Sequence, residues 1–321
     1  MTKFGYTLMT EQSPPTNLVR YAVAAERAGY DFEVSSDHYF PWLDSMGHAP
    51  NAWTTLGAVA HATERVELMT YVTCPILRYH PTVVAQQAAT LGLLSEGRFT
   101  LGLGSGENLN EHVVGKGWPS VSVRQEMFAE AVEIIRALFG GDYVDFRGEH
   151  FRVTAAKLWD VAATPPPIGI AVSGPASCQL AGEQGDAMIA VEPLPELGEL
   201  FDQHGGSGKP RIGQLPISYG ADKDAAIDRA HELFRWFAGG WKVNADLPGT
   251  AGFDAASQFV TKDDVAESIP CGDDVDAVKS AVKEFVDAGF THVALVQIGD
   301  DQQDPFFEWS TNELLPALRE L

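Results

Sequence analysis

The feature that most constrains the fold is a recurring order of apolar strand, turn and amphipathic helix, in units of roughly 30 residues, the span of one βαβ crossover. Residues 4–9 alternate weakly and read as a first strand, and 10–15 as a loop. Residues 18–29 carry apolar side chains at helical spacing and stop at Gly29, a helix-terminating residue. The order repeats: strand 30–34, helix 53–65, strand 66–72, helix 81–94 with Pro81 in its first turn, strand 98–104. Such alternation argues for a parallel sheet covered by helices.

The second half continues with a long amphipathic helix over 123–139 and a hairpin over 144–153 that turns near Gly148. Strand 168–172 is announced by Pro165-Pro166-Pro167 and followed by a short helix over 176–183. Strand 187–191, strand 212–219 with Pro216 as a local irregularity, helix 221–237, strand 291–297 and a closing helix 306–318 complete the chain. Eight strands with helices between them fit an α/β (β/α)8 TIM barrel better than an open sheet. One such domain over 1–321 exceeds the usual length of about 250 residues, so insertions are expected. They fall near 104–122, 140–165 and 239–272. The last shows no clear periodicity and is expected to be a lid or a substrate-side loop.

The formal net charge of −22 argues against nucleic acid or an anionic membrane as a partner, and opposes any anionic ligand that lacks a local basic site. No run of about 18 apolar residues occurs, and Met-Thr-Lys-Phe-Gly-Tyr already has a strand pattern rather than a signal-peptide core. The three cysteines, Cys74, Cys178 and Cys271, are far apart and have neither disulfide-framework nor zinc spacing. A cytoplasmic soluble protein is expected.

Polar and titratable residues gather at strand C-terminal ends, where barrels carry their chemistry. Glu11 follows the first strand, and Ser35-Ser36-Asp37-His38-Tyr39-Phe40-Pro41-Trp42 follows the second. Val72-Thr73-Cys74-Pro75 ends the third, Gly104-Ser105-Gly106-Glu107-Asn108-Leu109-Asn110-Glu111 the fourth and Ser173-Gly174-Pro175 the fifth. Unrelated polar residues would not all choose one rim. Other readings stand beside this one: His38 as a neutral core histidine bonded to Asp37, Asp37 as a turn cap, and Glu107 as a helix-start carboxylate. Gly102, Gly104 and Gly106 fit a tight strand-to-loop turn better than a dinucleotide-binding fingerprint, which needs a first-strand context and a ribose-binding acid.

Taken in order, Ser36-Asp37-His38, Pro41-Trp42, Gly47-His48-Ala49-Pro50, Arg78-Tyr79-His80-Pro81, Leu103 to Glu111, Gly141-Asp142-Tyr143-Val144-Asp145-Phe146 and Ser173-Gly174-Pro175 resemble the luciferase-like superfamily. Within it they are most similar to the F420-dependent glucose-6-phosphate dehydrogenase group. The resemblance is good over about 3–190, fades over 192–270 and returns weakly over 272–321. It implies coenzyme F420, a deazaflavin that carries a hydride, with FMN as the alternative. It further implies Asp37 near the deazaflavin, His38 as the base for a substrate hydroxyl, Trp42 beside the reacting centre, and Glu107 near the ring, supplying or holding a proton. Glu11 and Asn110 would line the pocket. Tyr71, Val72, Thr73 and Gly106 would lie against the coenzyme, with a non-proline cis bond at Tyr71–Val72, and Ser173, Gly174 and Pro175 would meet its phosphate. A homodimer is implied as well.

The chemistry suits these residue types. Oxidising an alcohol removes a hydride from carbon and a proton from oxygen, and an imidazole titrating near neutrality suits the proton. A protonated Glu107 would offset the negative charge that develops on a reduced ring. From Leu158 to Gly208 there is no Lys or Arg, and the segment after the sixth strand reads Glu192-Pro193-Leu194-Pro195-Glu196. A substrate phosphate would meet carboxylates there. The expected substrate is therefore a non-phosphorylated alcohol, its carbonyl partner or an activated alkene. If a sugar phosphate is used instead, Lys209, Arg211 or Lys242 must supply the cations.

Overall fold

The computed structural model describes residues 2–321. Eight parallel strands close into a barrel: β1 (Lys3–Leu8), β2 (Phe32–Ser35), β3 (Glu67–Thr70), β4 (Phe99–Leu103), β7 (Ile168–Ala171), β8 (Ala187–Ile189), β9 (Arg211–Ile217) and β10 (His292–Gln297). The strands β5 (Val144–Arg147) and β6 (Arg152–Ala156) form a separate antiparallel hairpin. β4 passes over it and pairs directly with β7, Leu101 opposite Ile168. Closure comes from β1, which pairs with β2 on one side and β10 on the other.

The barrel interior is filled by Phe32, Val34, Met69, Ala187, Ile189, Ile212 and Ala294. Small residues make room for large ones: a Cβ on Gly5 would stand 2.5 Å from the Phe32 ring. Tyr71, Val72 and Ala171 cap this plug at the strands' C-terminal end and are only partly covered. Outside the strands, helices α1 (Pro15–Ala28), α2 (Ala52–Ala62), α3 (Pro81–Leu94), α5 (Val121–Phe139) and α6 (Pro175–Gln184) bury their apolar stripes in the main core. Short α4 (Asn108–Glu111) and α7 (Pro195–Phe201) sit within connections.

The longest excursion lies between β9 and β10. After α8 (Lys223–Phe234), residues 239–272, which the sequence reading expects to be a lid or a substrate-side loop, contain three short helices, α9 (Trp241–Asn244), α10 (Gly249–Ser257) and α11 (Lys262–Ser268). None exceeds nine residues. That is under three turns, too few to repeat an apolar stripe and too few for stability without tertiary burial. The burial comes from a second apolar cluster, in which Phe253, Val265 and Ile269 pack with Trp42, Leu109 and Trp236. α12 (Val275–Asp287), absent from the sequence reading, buries Val278, Val282 and Phe285 and is capped by Asp274. The closing helical stretch divides into α13 (Gln303–Trp309) and α14 (Leu315–Leu318), joined by a widened turn. Among the described residues no helix is long and apolar enough to cross a membrane.

Candidate active site

The loops after β1, β2 and β4 bring Glu11, His38 and Glu107 together. The His38 Nδ1 lies 3.0 Å from Glu11 Oε1, and Nε2 lies 3.5 Å from Glu107 Oε2. Nδ1 also meets the Phe40 carbonyl oxygen of its own loop at 3.3 Å, so the ring is oriented at Nδ1 and flanked by a carboxylate at each nitrogen. The Glu11 side is firmly built: Ser36 Oγ donates to Glu11 Oε2 at 2.6 Å, the Thr10 hydroxyl to the same oxygen at 3.3 Å, and the His48 N–H to the Glu11 carbonyl. His48 thus fixes the loop through its backbone. Glu11 is 1% exposed and lies behind His38 rather than lining an open pocket. His38 Nδ1 thus lies beside Glu11 Oε1 and the Phe40 carbonyl oxygen, whereas Asp37, its partner in the core-histidine reading, bonds instead to Thr73 and Arg78.

Glu107 stands at the N-terminal boundary of α4 but makes no capping bond with its side chain, so a helix-start role does not account for it. Its carboxylate turns to His38 and accepts from Asn110 Nδ2 at 3.2 Å. Burial pushes its pKa up to about 7, opposed by the neighbouring imidazole and helped by the negative charges of Glu11 and Glu111. Asn110 also accepts the N–H groups of Tyr39 and Phe40, at 2.8 and 3.2 Å. One amide therefore ties the loop that carries His38 to the carboxylate facing it.

Asp37 anchors a second, deeper network. Its Oδ2 accepts from Thr73 Oγ1 at 2.7 Å and its Oδ1 from Arg78 at 3.1 Å. The Arg78 guanidinium also donates to the Asp37 carbonyl and to Glu111, whose Oε2 accepts the Arg78 N–H at 2.7 Å. Burial raises the Glu111 pKa and Arg78 pulls it back down. Arg78 and Glu111 were visible in the sequence only as members of longer motifs; a carboxylate pair 74 positions apart sharing one buried cation leaves no local signal.

The Trp42 ring lies 4.8 Å from the His38 ring and stacks on Trp236 at 4.0 Å and 10°, with Phe253 edge-on at 5.0 Å. Trp236, far from Trp42 in the chain, packs against the site itself. The Tyr71–Val72 peptide bond is cis. Behind it the backbones of β3 and β4 are pressed together: a Cβ on Gly102 would fall 1.9 Å from the Thr70 carbonyl oxygen, and one on Gly104 2.6 Å from Val72 Cγ2. Gly106 has φ +83°, and a Cβ there would meet Cys74 Sγ at 2.3 Å. These glycines serve a tight strand-to-loop turn.

After β7, the strand next to β4, Ser173 and Gly174 lead into α6. Their N–H groups both donate to Ser177 Oγ, at 3.1 and 3.3 Å. A Cβ on Gly174 would meet no atom within 4 Å, so open space lies beside the helix start. Ser173 and Pro175 are exposed. Their strand, β7, is the neighbour of β4, whose loop carries Glu107, and lies opposite β1, whose loop carries Glu11.

The fold and this rim define an α/β-barrel protein with a carboxylate–imidazole–carboxylate array at the strands' C-terminal end. The family model described as luciferase-like monooxygenase matches residues 1–292, and the chain belongs to that family. It is 36% identical to the F420-dependent glucose-6-phosphate dehydrogenase of Beutenbergia cavernae, over 99% of this chain and 98% of that one. It is 35% identical to the F420-dependent hydroxymycolic acid dehydrogenase of Mycobacterium tuberculosis, over 98% and 88% respectively. Its fold superposes with a TM-score of 0.90 on an F420-dependent secondary alcohol dehydrogenase solved with an F420-acetone adduct, at 29% identity and 99% coverage of both chains.

Proposed function

We propose that the chain is an F420-dependent oxidoreductase that moves a hydride between the deazaflavin C5 and a small, non-phosphorylated alcohol or carbonyl, or an activated alkene. The observation that carries the reading is His38 held between Glu11 and Glu107, an arrangement suited to proton transfer. The names of the full-length relatives support the coenzyme.

The residues present fit such a group. Tyr71, Val72 and Ala171 form a partly covered apolar floor over the barrel plug, and the open space at Gly174 lies by a helix N-terminus, where an anion is favoured. Tyr71, Val72 and Gly106 would hold the ring side, and Ser173, Gly174 and Pro175 the phosphate side, while Thr73 and Asn110 are buried and already bonded within the chain, Thr73 to Asp37 and Asn110 to Glu107, Tyr39 and Phe40. Because Ser177 Oγ already takes two of those amides, a phosphate there must share or displace that hydroxyl. When bound, F420 supplies a hydride acceptor, or in the reverse direction a donor.

His38 takes the hydroxyl proton during oxidation and returns it during reduction, through Nε2, while Nδ1 stays directed at Glu11. Glu11 steadies the imidazolium so formed, much as a buried carboxylate steadies a catalytic histidine elsewhere. Glu107, protonated below about pH 7, holds a proton beside His38. Trp42 flanks His38 and keeps water from that side. Asp37 acts on the loop through Thr73 and Arg78.

The charge distribution favours a neutral substrate. Lys209 donates to the carbonyls of Gly182 and Gly185, and Arg211 pairs with Asp202. Arg211 opens the seven-residue β9, so both cations lie at the opposite end of the barrel, roughly 20 Å of strand away from the rim. Arg78, Arg124 and Arg235 on the rim side are each paired with a carboxylate of the chain itself. Lys242 on α9 is exposed.

The test is an F420-linked assay across secondary alcohols, ketones, enones and sugar phosphates. Activity with neutral substrates and negligible activity with glucose 6-phosphate is the expected outcome. A sugar phosphate as the best substrate would overturn the substrate assignment, and tighter binding of FMN than of F420 would favour an FMN-dependent monooxygenase. We further propose a homodimer, which sedimentation velocity at micromolar concentration checks.

A further inference from the structure

The segment between α8 and α11 touches the site at two separated places. At one, Trp236 and Phe253 hold Trp42 against His38. At the other it holds the residue that follows Glu107. The Asn108 N–H donates to the Ala245 carbonyl at 3.0 Å, and Asn108 Nδ2 donates to the Asp246 carbonyl at 3.0 Å. Leu109, fully buried, packs in the cluster that contains Trp42, Trp236 and Phe253. α4 is thus clasped by the inserted segment along its first turn.

Beside the apolar cluster, the segment has a polar tie at the Asp246 carboxylate. Its Oδ1 accepts from Trp118 Nε1 at 2.9 Å and from Arg124 at 3.1 Å. The Arg124 guanidinium is itself fixed, 4.4 Å over the Trp118 ring and donating to the Pro119 carbonyl at 2.8 Å. Its side chain is 6% exposed, whereas that of Asp246 is 57% exposed. A buried cation on α5 therefore meets an exposed carboxylate from the insertion, with an indole N–H beside it. The carboxylate makes no contact with the core that would explain it as packing.

We propose that Asp246 is a positioning residue for Glu107: its carboxylate latches the α9–α10 segment onto Trp118 and Arg124, and the latched segment sets Asn108 and hence the neighbouring carboxylate. This rests on the catalytic reading of Glu107 for its effect on turnover, but the latch itself is independent of any coenzyme. It assigns the insertion a role in acid–base geometry as well as in covering the site.

The experiment uses the full-length protein with Asp246→Ala, Asp246→Asn and Trp118→Phe, and thermal melts to establish that each folds. Two readouts need no coenzyme: amide hydrogen exchange at Asn108, and the carboxyl titration of Glu107 followed by NMR. Asp246→Ala is expected to speed exchange at Asn108 by about tenfold, as local opening becomes easier, and to move the Glu107 midpoint down from about 7 as water enters. The F420-linked kcat should fall about tenfold with coenzyme affinity within about twofold, a split expected when only transition-state placement is lost. Asp246→Asn keeps acceptors for both donors and should recover most of each effect, with Trp118→Phe intermediate. Unchanged exchange and an unchanged Glu107 midpoint in Asp246→Ala would overturn the latch. Faster exchange with an unchanged midpoint and kcat would overturn the positioning role. Wild-type protein without F420 turnover would refute the functional reading alone, since the two coenzyme-free readouts would still decide the latch.

Discussion

The loops after β1 to β4 carry Glu11, Asp37, His38, Arg78, Glu107 and Glu111 in two interlocked networks, whereas the loop after β7 offers Ser173 and Gly174 with open space beside a helix start. In the first region every charged group has a partner and little freedom. In the second the backbone amides are held only by the Ser177 hydroxyl, and a missing side chain leaves room beside them. Proton transfer needs atoms placed to within tenths of an ångström, which buried hydrogen-bonded pairs supply. Holding a flexible anionic tail needs only donors and room. Under the proposed function, the first half of the rim reacts and the second holds the coenzyme.

The largest test of that division is His38→Ala. It should lower turnover by about 10²–10⁴-fold and leave F420 affinity nearly unchanged; stopped-flow hydride transfer with a parallel binding titration separates the two. Wild-type-like turnover would remove the reactive role from the first half.

Glu107→Gln should cost about 10²-fold and change the pH profile. In the wild type the protonated carboxyl is lost as pH rises through about 7, so a rate that depends on it falls above that value. The amide variant should lose this limb. The sign for stability runs the same way: a carboxyl whose folded pKa is raised to about 7 adds stability below its unfolded value of 4.5, and that contribution disappears as pH rises through 7. Melts of wild type and variant between pH 4 and pH 8 should therefore converge at the alkaline end less well than at the acid end.

Gly174→Val probes the holding side. No atom lies within 4 Å of the Cβ position, so the fold should tolerate the new side chain while the space beside α6 is filled. The F420 dissociation constant should rise about tenfold, in keeping with what an anion gains at a helix N-terminus, with kcat at saturation preserved. A loss of kcat instead would mean that the two regions are not separable. The smallest effect belongs to Arg211→Ala, at the far end of the barrel. It should reduce stability by about 1 kcal/mol through the half-exposed pair with Asp202 and change no Michaelis constant. A changed constant for any phosphorylated substrate would show that the cation reaches the rim.

Much of the barrel was legible because its signals are local. Strands bounded by turn residues and helices with Gly29 or Pro81 at their ends reappear within a few residues of where periodicity puts them. The hairpin turning near Gly148 was legible for the same reason. α12 was legible too, in the spacing of Val278, Val282 and Phe285 behind Asp274, although the sequence reading passes over it. The rim residues were legible by residue type and by their position after strands, and His38 and Glu107 stand where that pattern expects reactive groups.

What only the tertiary structure decided is who faces whom. That His38 turns to Glu11 rather than to adjacent Asp37, that Asp37 is committed to Thr73 and Arg78, and that Trp236 stacks on Trp42 are contacts between segments tens to hundreds of positions apart. The same holds for α9, α10 and α11, whose few turns gain their stability from a shared apolar cluster rather than from their own pattern. A sequence states which groups are present and where a strand ends. The direction of a side chain at that end is set by barrel closure, which brings the loops after β1, β2 and β4 to one place and leaves each buried charge to find its partner there.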